Sequence, residues 1–332
     1  MNKLILLSTA AILFFSVNSQ AAGRRQINPE AKQFKYSTTI EKERPELNEE
    51  TKRLIAAYRK NPTEANYSAL RKQAEINYDK VVERKKAKLE ELKKTARDSS
   101  KIEEMQIIVD EMLKDRENRI NQTMSRFTDK RLRPNARQTT DGFLPVLGAA
   151  QNVSIAYTPV TNKEYATFIN ERGHKAPKDW QNGTYPASKA NHPVIYVSYN
   201  DAVAYCDWLS NKDKTAVYRL PTEAEWELAA GHMPKDADMN CDGGKDTTPV
   251  DAYKQTLSAS GAIDMWGNVW EWTSTKITAI NGREKGQEVN AVKGGSWYSQ
   301  RTSCRTEYRG EGRKPELSYN TVGFRVIREK LF

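Results

Sequence analysis

Residues 261–273 read GAIDMWGNVWEWT. The pair Gly267-Asn268 forces a tight turn that exposes backbone carbonyls, and Glu271 can return a carboxylate to the same point. Hard oxygen atoms gathered in this way suit Ca²⁺. A plain Gly/Asn turn explains the same residues without a metal. Trp266, Trp270 and Trp272 are expected to be core rather than a ligand platform.

The segments around this turn have the same texture. PVTNKEYATFIN (159–170) reads as a helix capped by Thr161 or Asn162, with Tyr165, Phe168 and Ile169 on its apolar face. HPVIYVSYNDAVAYCDWLS (192–210) reads as a second helix, capped by Ser198 or Asn200. Its Cys206 lies on the buried face and is read as a small core residue. YRLPTEAEWELAA (218–230) carries a third, in which Thr222 and Glu225 form a capping box and Trp226 is placed for the core. VKGGSWYSQRTSC (292–304) and TVGFRVIRE (321–329) follow. Helical periodicity comes only in short pieces, and Gly, Trp, Tyr and Pro are frequent. The expectation is a loop-rich α+β domain with small sheets, spanning 141–332.

The chain before it is different. MNKLILLSTAAILFFSVNSQAAG at the start has a positive Lys3, a short apolar run and Ser19-Gln20-Ala21, the pattern of a secretory signal ending at residue 21. A mature protein in the periplasm or outside the cell follows as an expectation, with no transmembrane segment in the mature chain. From 46 to 128 glycine is absent, and Glu, Lys, Arg, Ala and Leu dominate. Apolar residues recur at helical spacing, with Asp98-Ser99-Ser100 as a break. This predicts a short helix over 46–59 and a coiled-coil-like hairpin of helices over about 63–97 and 100–128. Residues 129–140 are the expected linker. Gly23 to Asn135 holds 28 Lys/Arg against 20 Asp/Glu, and Ala136 onward holds 24 against 23, so the formal charge of +10 belongs mainly to the helical part. Both signs are interleaved there, as on a solvated face. No nucleic-acid partner is expected. The hairpin is read as a spacer or self-association element.

Taken in order, these segments resemble the formylglycine-generating enzyme family, also called sulfatase-modifying factors. The resemblance covers roughly 150–330 and implies a variant of the C-type lectin fold. It also implies a structural calcium held by Asn268, Glu271 and the carbonyls of Gly267 and Val269. A second family calcium site would fall on Asn240, Asp242 and Asp246 in the acidic loop.

Working members of that family carry two cysteines, five positions apart, after Gly-Gly-Ser-Trp, and both bind Cu(I) as thiolates. This chain has Ser299 at the first position and Cys304 at the second. A serine hydroxyl is a hard ligand and cannot replace a thiolate for Cu(I), so copper is not expected. Cys304 is a candidate reactive thiol, because Arg301 and Arg305 would favour the thiolate. Pairing of Cys304 with Cys241 is the competing possibility. The related iron sulfoxide synthases take histidines from a helical domain; the three histidines here, His174, His192 and His232, all lie outside the helical part.

Trp297, Tyr298, Arg301, Arg305, Tyr308 and Arg309 have the composition of a recognition surface, and interspersed glutamates suit a salt-bridged rim equally well. The sequence therefore points to an exported, catalytically degenerate protein that binds a peptide or protein in the cell envelope. The alternative is an oxidoreductase of the same family that uses Cys304. Glycan binding is a third idea, resting on fold analogy.

Overall fold

A computed structural model describes residues 47–96, 99–129, 141–234, 237–280 and 282–331. The expected signal, 1–21, and the linker from residue 130 onward lie outside the described residues.

The described residues open with an arm of four helices. Helix α1 (Glu49–Lys60) is capped by Asn48, whose side chain accepts from Thr51 N at 2.8 Å. Helix α2 (Glu64–Thr95) starts at Thr63 and runs for 32 residues. The chain returns antiparallel through α3 (Ser99–Lys114) and α4 (Arg116–Thr128). Leu70, Ala74, Ile120 and Met124 pack with Ile55 of α1, and Leu89 packs on Met105 and Val109. Arg116 meets Asp79, and Tyr78 Oη donates to Met112 O at 2.9 Å, which fixes the register. The sequence predicted one returning helix, but Asp115 leaves helical geometry at φ −96°, ψ 6° and divides it.

The second part is α+β. Strands β1 (Phe143–Pro145), β2 (Val153–Ala156), β8 (Ile327–Lys330) and β3 (Ala216–Arg219) form an antiparallel sheet in the order β1-β2-β8-β3. A second sheet has the order β6-β5-β4-β7, from β4 (Trp270–Thr278), β5 (Glu288–Lys293), β6 (Gly312–Arg313) and β7 (Val322–Gly323). Only the pairing of β4 with β7 is parallel.

Three helices carry the caps that the sequence announced. Thr161 caps α5 (Asn162–Arg172), Ser198 caps α6 (Tyr199–Lys212) and Thr222 caps α7 (Glu223–Ala230). Each makes a capping box, with Glu164, Asp201 and Glu225 respectively, so two otherwise orphaned N–H groups are satisfied at each start. Helices α5 and α6 close an aromatic core of Tyr165, Phe168, Tyr205, Trp272 and Phe324. A second core gathers around Trp226 of α7, with Met265, Trp266 and Cys304. All three tryptophans of the 261–273 stretch are buried, and so is Cys206, whose thiol burial pushes up.

Candidate functional site

The Gly-Gly-Ser-Trp segment leaves β5 in left-handed backbone, with φ of 96° at Gly294 and 77° at Gly295. A Cβ on Gly295 would sit 2.3 Å from Cys304 Sγ and 2.9 Å from its Cα. Only glycine permits this approach. Cys304 ends a short 3₁₀ turn, Arg301–Cys304, and is fully buried. Its Sγ donates to Gln300 O at 3.5 Å.

Ser299 is nearly as buried, at 6% exposure. Its Oγ accepts from Ser296 N at 3.0 Å and lies 3.0 Å from Ser296 Oγ. The hydroxyl at the first of the two family positions is thus held by the serine of Gly-Gly-Ser.

The loop holding the acidic residues lies alongside. Asp242 N donates to Ser299 O and Gly244 N to Trp297 O, both at 2.7 Å. Asp242 Oδ1 accepts from Arg301 N at 2.9 Å. Cys241, whose Sγ donates to Asp242 Oδ2 at 3.3 Å, packs at the edge of the core cluster that holds Cys304. Contact with Cys241, and then burial, hold the Cys304 thiol well above its ordinary range. The arginines expected to favour its thiolate are outweighed. Arg301 does lower it, as the smallest of the named influences, while the Arg305 side chain turns to Thr302 O. Cys304 is thus a buried thiol whose surroundings disfavour the thiolate. The sequence left a pairing with Cys241 open, and both are free thiols here.

Below the strand end, Asn268 joins three loops. Its Nδ2 donates to Asp264 Oδ2 at 2.7 Å and Thr248 O at 3.0 Å, and its Oδ1 accepts from Thr248 N and Asn240 Nδ2. Gly267 is held to glycine by Asn240 O, which would lie 2.5 Å from an added Cβ. Glu271 does not return to this point. Its carboxylate accepts from Arg325 Nε and Nη2 at 2.8 Å each, and from Trp226 Nε1 at 2.7 Å. Arg325 is completely buried, and it also donates to the carbonyls of Ala156, Ile263 and Asp264. Sequence reading gave Arg325 no role. The signal was there: a lone arginine inside apolar VGFRVI needs a buried acid.

The expected calcium sets fare differently. Glu271 is spent on a guanidinium, so the set Asn268, Glu271, Gly267 and Val269 does not converge as written. Asp264, left out of that set, is buried beside Asn268, and burial pushes its carboxyl up to about 8. In the acidic loop Asn240 is bonded to Asp246 O, Asp242 to Arg301 N, and Asp246 to Lys189 and Thr247 N. Each of those three side chains is engaged in bonds of its own. No group of three or more His, Cys, Asp or Glu that could hold a metal occurs among the described residues.

Residues 149–330 match the model of the sulfatase-modifying factor enzyme 1-like domain. The chain belongs to that sulfatase-modifying factor family. It is 30% identical to the formylglycine-generating enzyme of Mus musculus, over 54% of this chain and 58% of that one. It is 31% identical to the inactive C-alpha-formylglycine-generating enzyme 2 of Bos taurus, over 50% of this chain and 74% of the relative. It thus spans little more than half of the mouse enzyme. Among solved structures, PvdO from Pseudomonas aeruginosa is similar, with 26% identity, a TM-score of 0.43, and coverage of 53% of this chain and 80% of that one.

Within this sulfatase-modifying factor domain, the expected recognition residues divide. Tyr298 is 38% exposed and stacks edge-on with half-buried Trp297, ring centroids 5.6 Å apart. Arg301, half-buried, donates to Ala237 O at 2.7 Å. Arg305, Tyr308 and Arg309 do not share that surface, contrary to expectation. Arg305 and Tyr308 are buried. Arg309 pairs with Asp115 of the arm at 2.8 Å and with Glu227 of α7.

The physical reason is a buried acid. Glu227 is 2% exposed and must be neutralised. Burial alone would raise its carboxyl, but Arg309 and Lys293 bring it down to about 2. Lys293, the residue before Gly-Gly-Ser-Trp, donates to Glu227 Oε1 at 3.1 Å and to the carbonyls of Thr306 and Tyr308. Helix α4 completes the contact: Arg126 donates to Glu227 O and Leu228 O at 3.2 Å, and Gln122 to Glu227 Oε2 at 3.3 Å. The arm is thus seated on α7 and on Arg309.

Proposed function

We propose that this chain is an exported sulfatase-modifying factor protein that has lost the family's copper centre and binds a peptide or protein partner in the cell envelope. The observation that carries the reading is Ser299. At neutral pH its hydroxyl is protonated and hard, whereas Cu(I) selects soft thiolates. Its Oγ is also held by Ser296. The surface kept for a partner is the Trp297–Tyr298 pair, with Arg301 beside it. Exposed aromatic side chains lose little rotamer entropy on binding, and arginine adds anionic or carbonyl recognition. A relative named as inactive fits a family in which the fold outlives the reaction. Export rests on the first 21 residues of the sequence.

A structural calcium is part of the proposal, at the 264–269 turn, with Asp264 rather than Glu271 as the anionic ligand. A carboxylate from Asp264 together with carbonyl oxygens of the turn would be a donor set suited to a hard dication. Its role would be to hold the turn that supports the Gly-Gly-Ser-Trp segment.

Copper stoichiometry tests the loss of the centre. The reduced wild-type protein is expected to retain no Cu(I) against a competing chelator, and Ser299→Cys to retain one equivalent. Tight Cu(I) binding by the wild-type protein would overturn the reading. The second reading, an oxidoreductase using Cys304, has one observation in its favour: Cys241 packs at the edge of the core cluster that holds Cys304 and offers a second sulfur. Loss of tight copper on Cys241→Ser would be its signature.

A further inference from the structure

We propose that Cys241 and Cys304 form an intramolecular disulfide, made by exchange with a small-molecule or protein disulfide. It would staple the acidic loop to the turn that follows Gly-Gly-Ser-Trp. Three observations carry this. The two cysteines share one core cluster, in which Cys241 packs at the edge and Cys304 inside. Both backbones are already fixed to each other by the bonds from Asp242 N to Ser299 O, Gly244 N to Trp297 O and Arg301 N to Asp242 Oδ1. A crosslink here would join two segments whose backbones are already held together, and backbone movement is the usual obstacle to disulfides. Finally, the remaining cysteine, Cys206, lies on α6 in the other core and has neither partner nor access.

Access sets the order of steps. Cys241 is half-exposed and Cys304 is fully buried. The Cys241 thiolate attacks one sulfur of the external disulfide and displaces the first thiol. The Cys304 thiolate then attacks the Cys241 sulfur of the mixed disulfide and displaces the second. One external disulfide is reduced to two thiols, which take up the two protons, and the two cysteines are oxidised to cystine. Once formed, the bond removes both sulfurs from any soft metal. The inference does not depend on peptide binding by the Trp297–Tyr298 face.

The test uses the full chain. Reduced protein is incubated with oxidised glutathione, free thiols are alkylated after unfolding, and the digest is mapped by mass spectrometry without reductant. The expected product is a single Cys241–Cys304 crosslink that leaves Cys206 alkylated. Closing so long a loop should raise Tm by roughly 10 °C, reversibly with dithiothreitol. Cys241→Ser, and Cys241→Ala as a second variant, should abolish both the crosslink and the redox response of Tm. Three alkylated cysteines after oxidation, glutathione left on Cys241, or a crosslink through Cys206 would each overturn the proposal.

Discussion

Single residues decide what this site can do. Gly295 is one, because Cys304 Sγ occupies the space of its missing side chain. Gly295→Ala should lose roughly 2–4 kcal/mol from overpacking and a left-handed alanine, read as a lower urea midpoint. Arg325 is another. It and Glu271 are 0% and 1% exposed at the side chain, so removing one leaves the other charged and buried. Arg325→Leu should cost about 3–5 kcal/mol. Arg325→Leu combined with Glu271→Leu should recover part of that loss, and an additive double variant would contradict the pairing. At Asp264, EDTA should lower the Tm of the wild-type protein and leave Asp264→Ala unmoved. Equal Tm with and without EDTA in the wild type would remove calcium from the turn.

At the scale of elements, what the sequence made legible was local. Thr222 and Glu225 lie three residues apart, and the box they form is visible in the string. The tryptophans at alternate positions along 270–272 and the apolar stripes of the arm were readable for the same reason. What could not be read depends on residues far apart in the chain. The break between α3 and α4 falls at Asp115, whose carboxylate meets Arg309. Nothing near position 115 announces a partner almost two hundred residues away. The same distance hid the fate of Arg305, Tyr308 and Arg309, which as sequence have the composition of a surface. Glu227 gives the contact a pH signature. Its folded pKa is depressed to about 2 from an ordinary 4.5. Its stabilisation is therefore complete above that ordinary value and is lost as pH falls toward the folded one. That amounts to about 3 kcal/mol between pH 4.5 and 2. Glu227→Gln should flatten the acid limb of stability against pH, while an unchanged limb would mean that Glu227 is not the group titrating.

At the scale of the whole molecule, the helical arm and the sulfatase-modifying factor domain meet through charge. Asp115 and Gln122 of the arm reach Arg309 and Glu227 of the domain, and the same network holds Lys293 just before Gly-Gly-Ser-Trp. The arm thus meets the network that holds Lys293, next to the segment carrying Ser299 and Cys304. The central claim is that the scaffold is kept and the oxidation is lost. It is tested most directly by incubating reduced protein with Cu(I), O₂ and a peptide carrying a Cys-x-Pro-x-Arg motif, then weighing the peptide. The expected result is an unmodified peptide cysteine, with Ser299→Cys run alongside as the restored site. Conversion of that cysteine to the aldehyde by the wild-type protein would contradict the claim and make Cys304, with or without Cys241, a working centre.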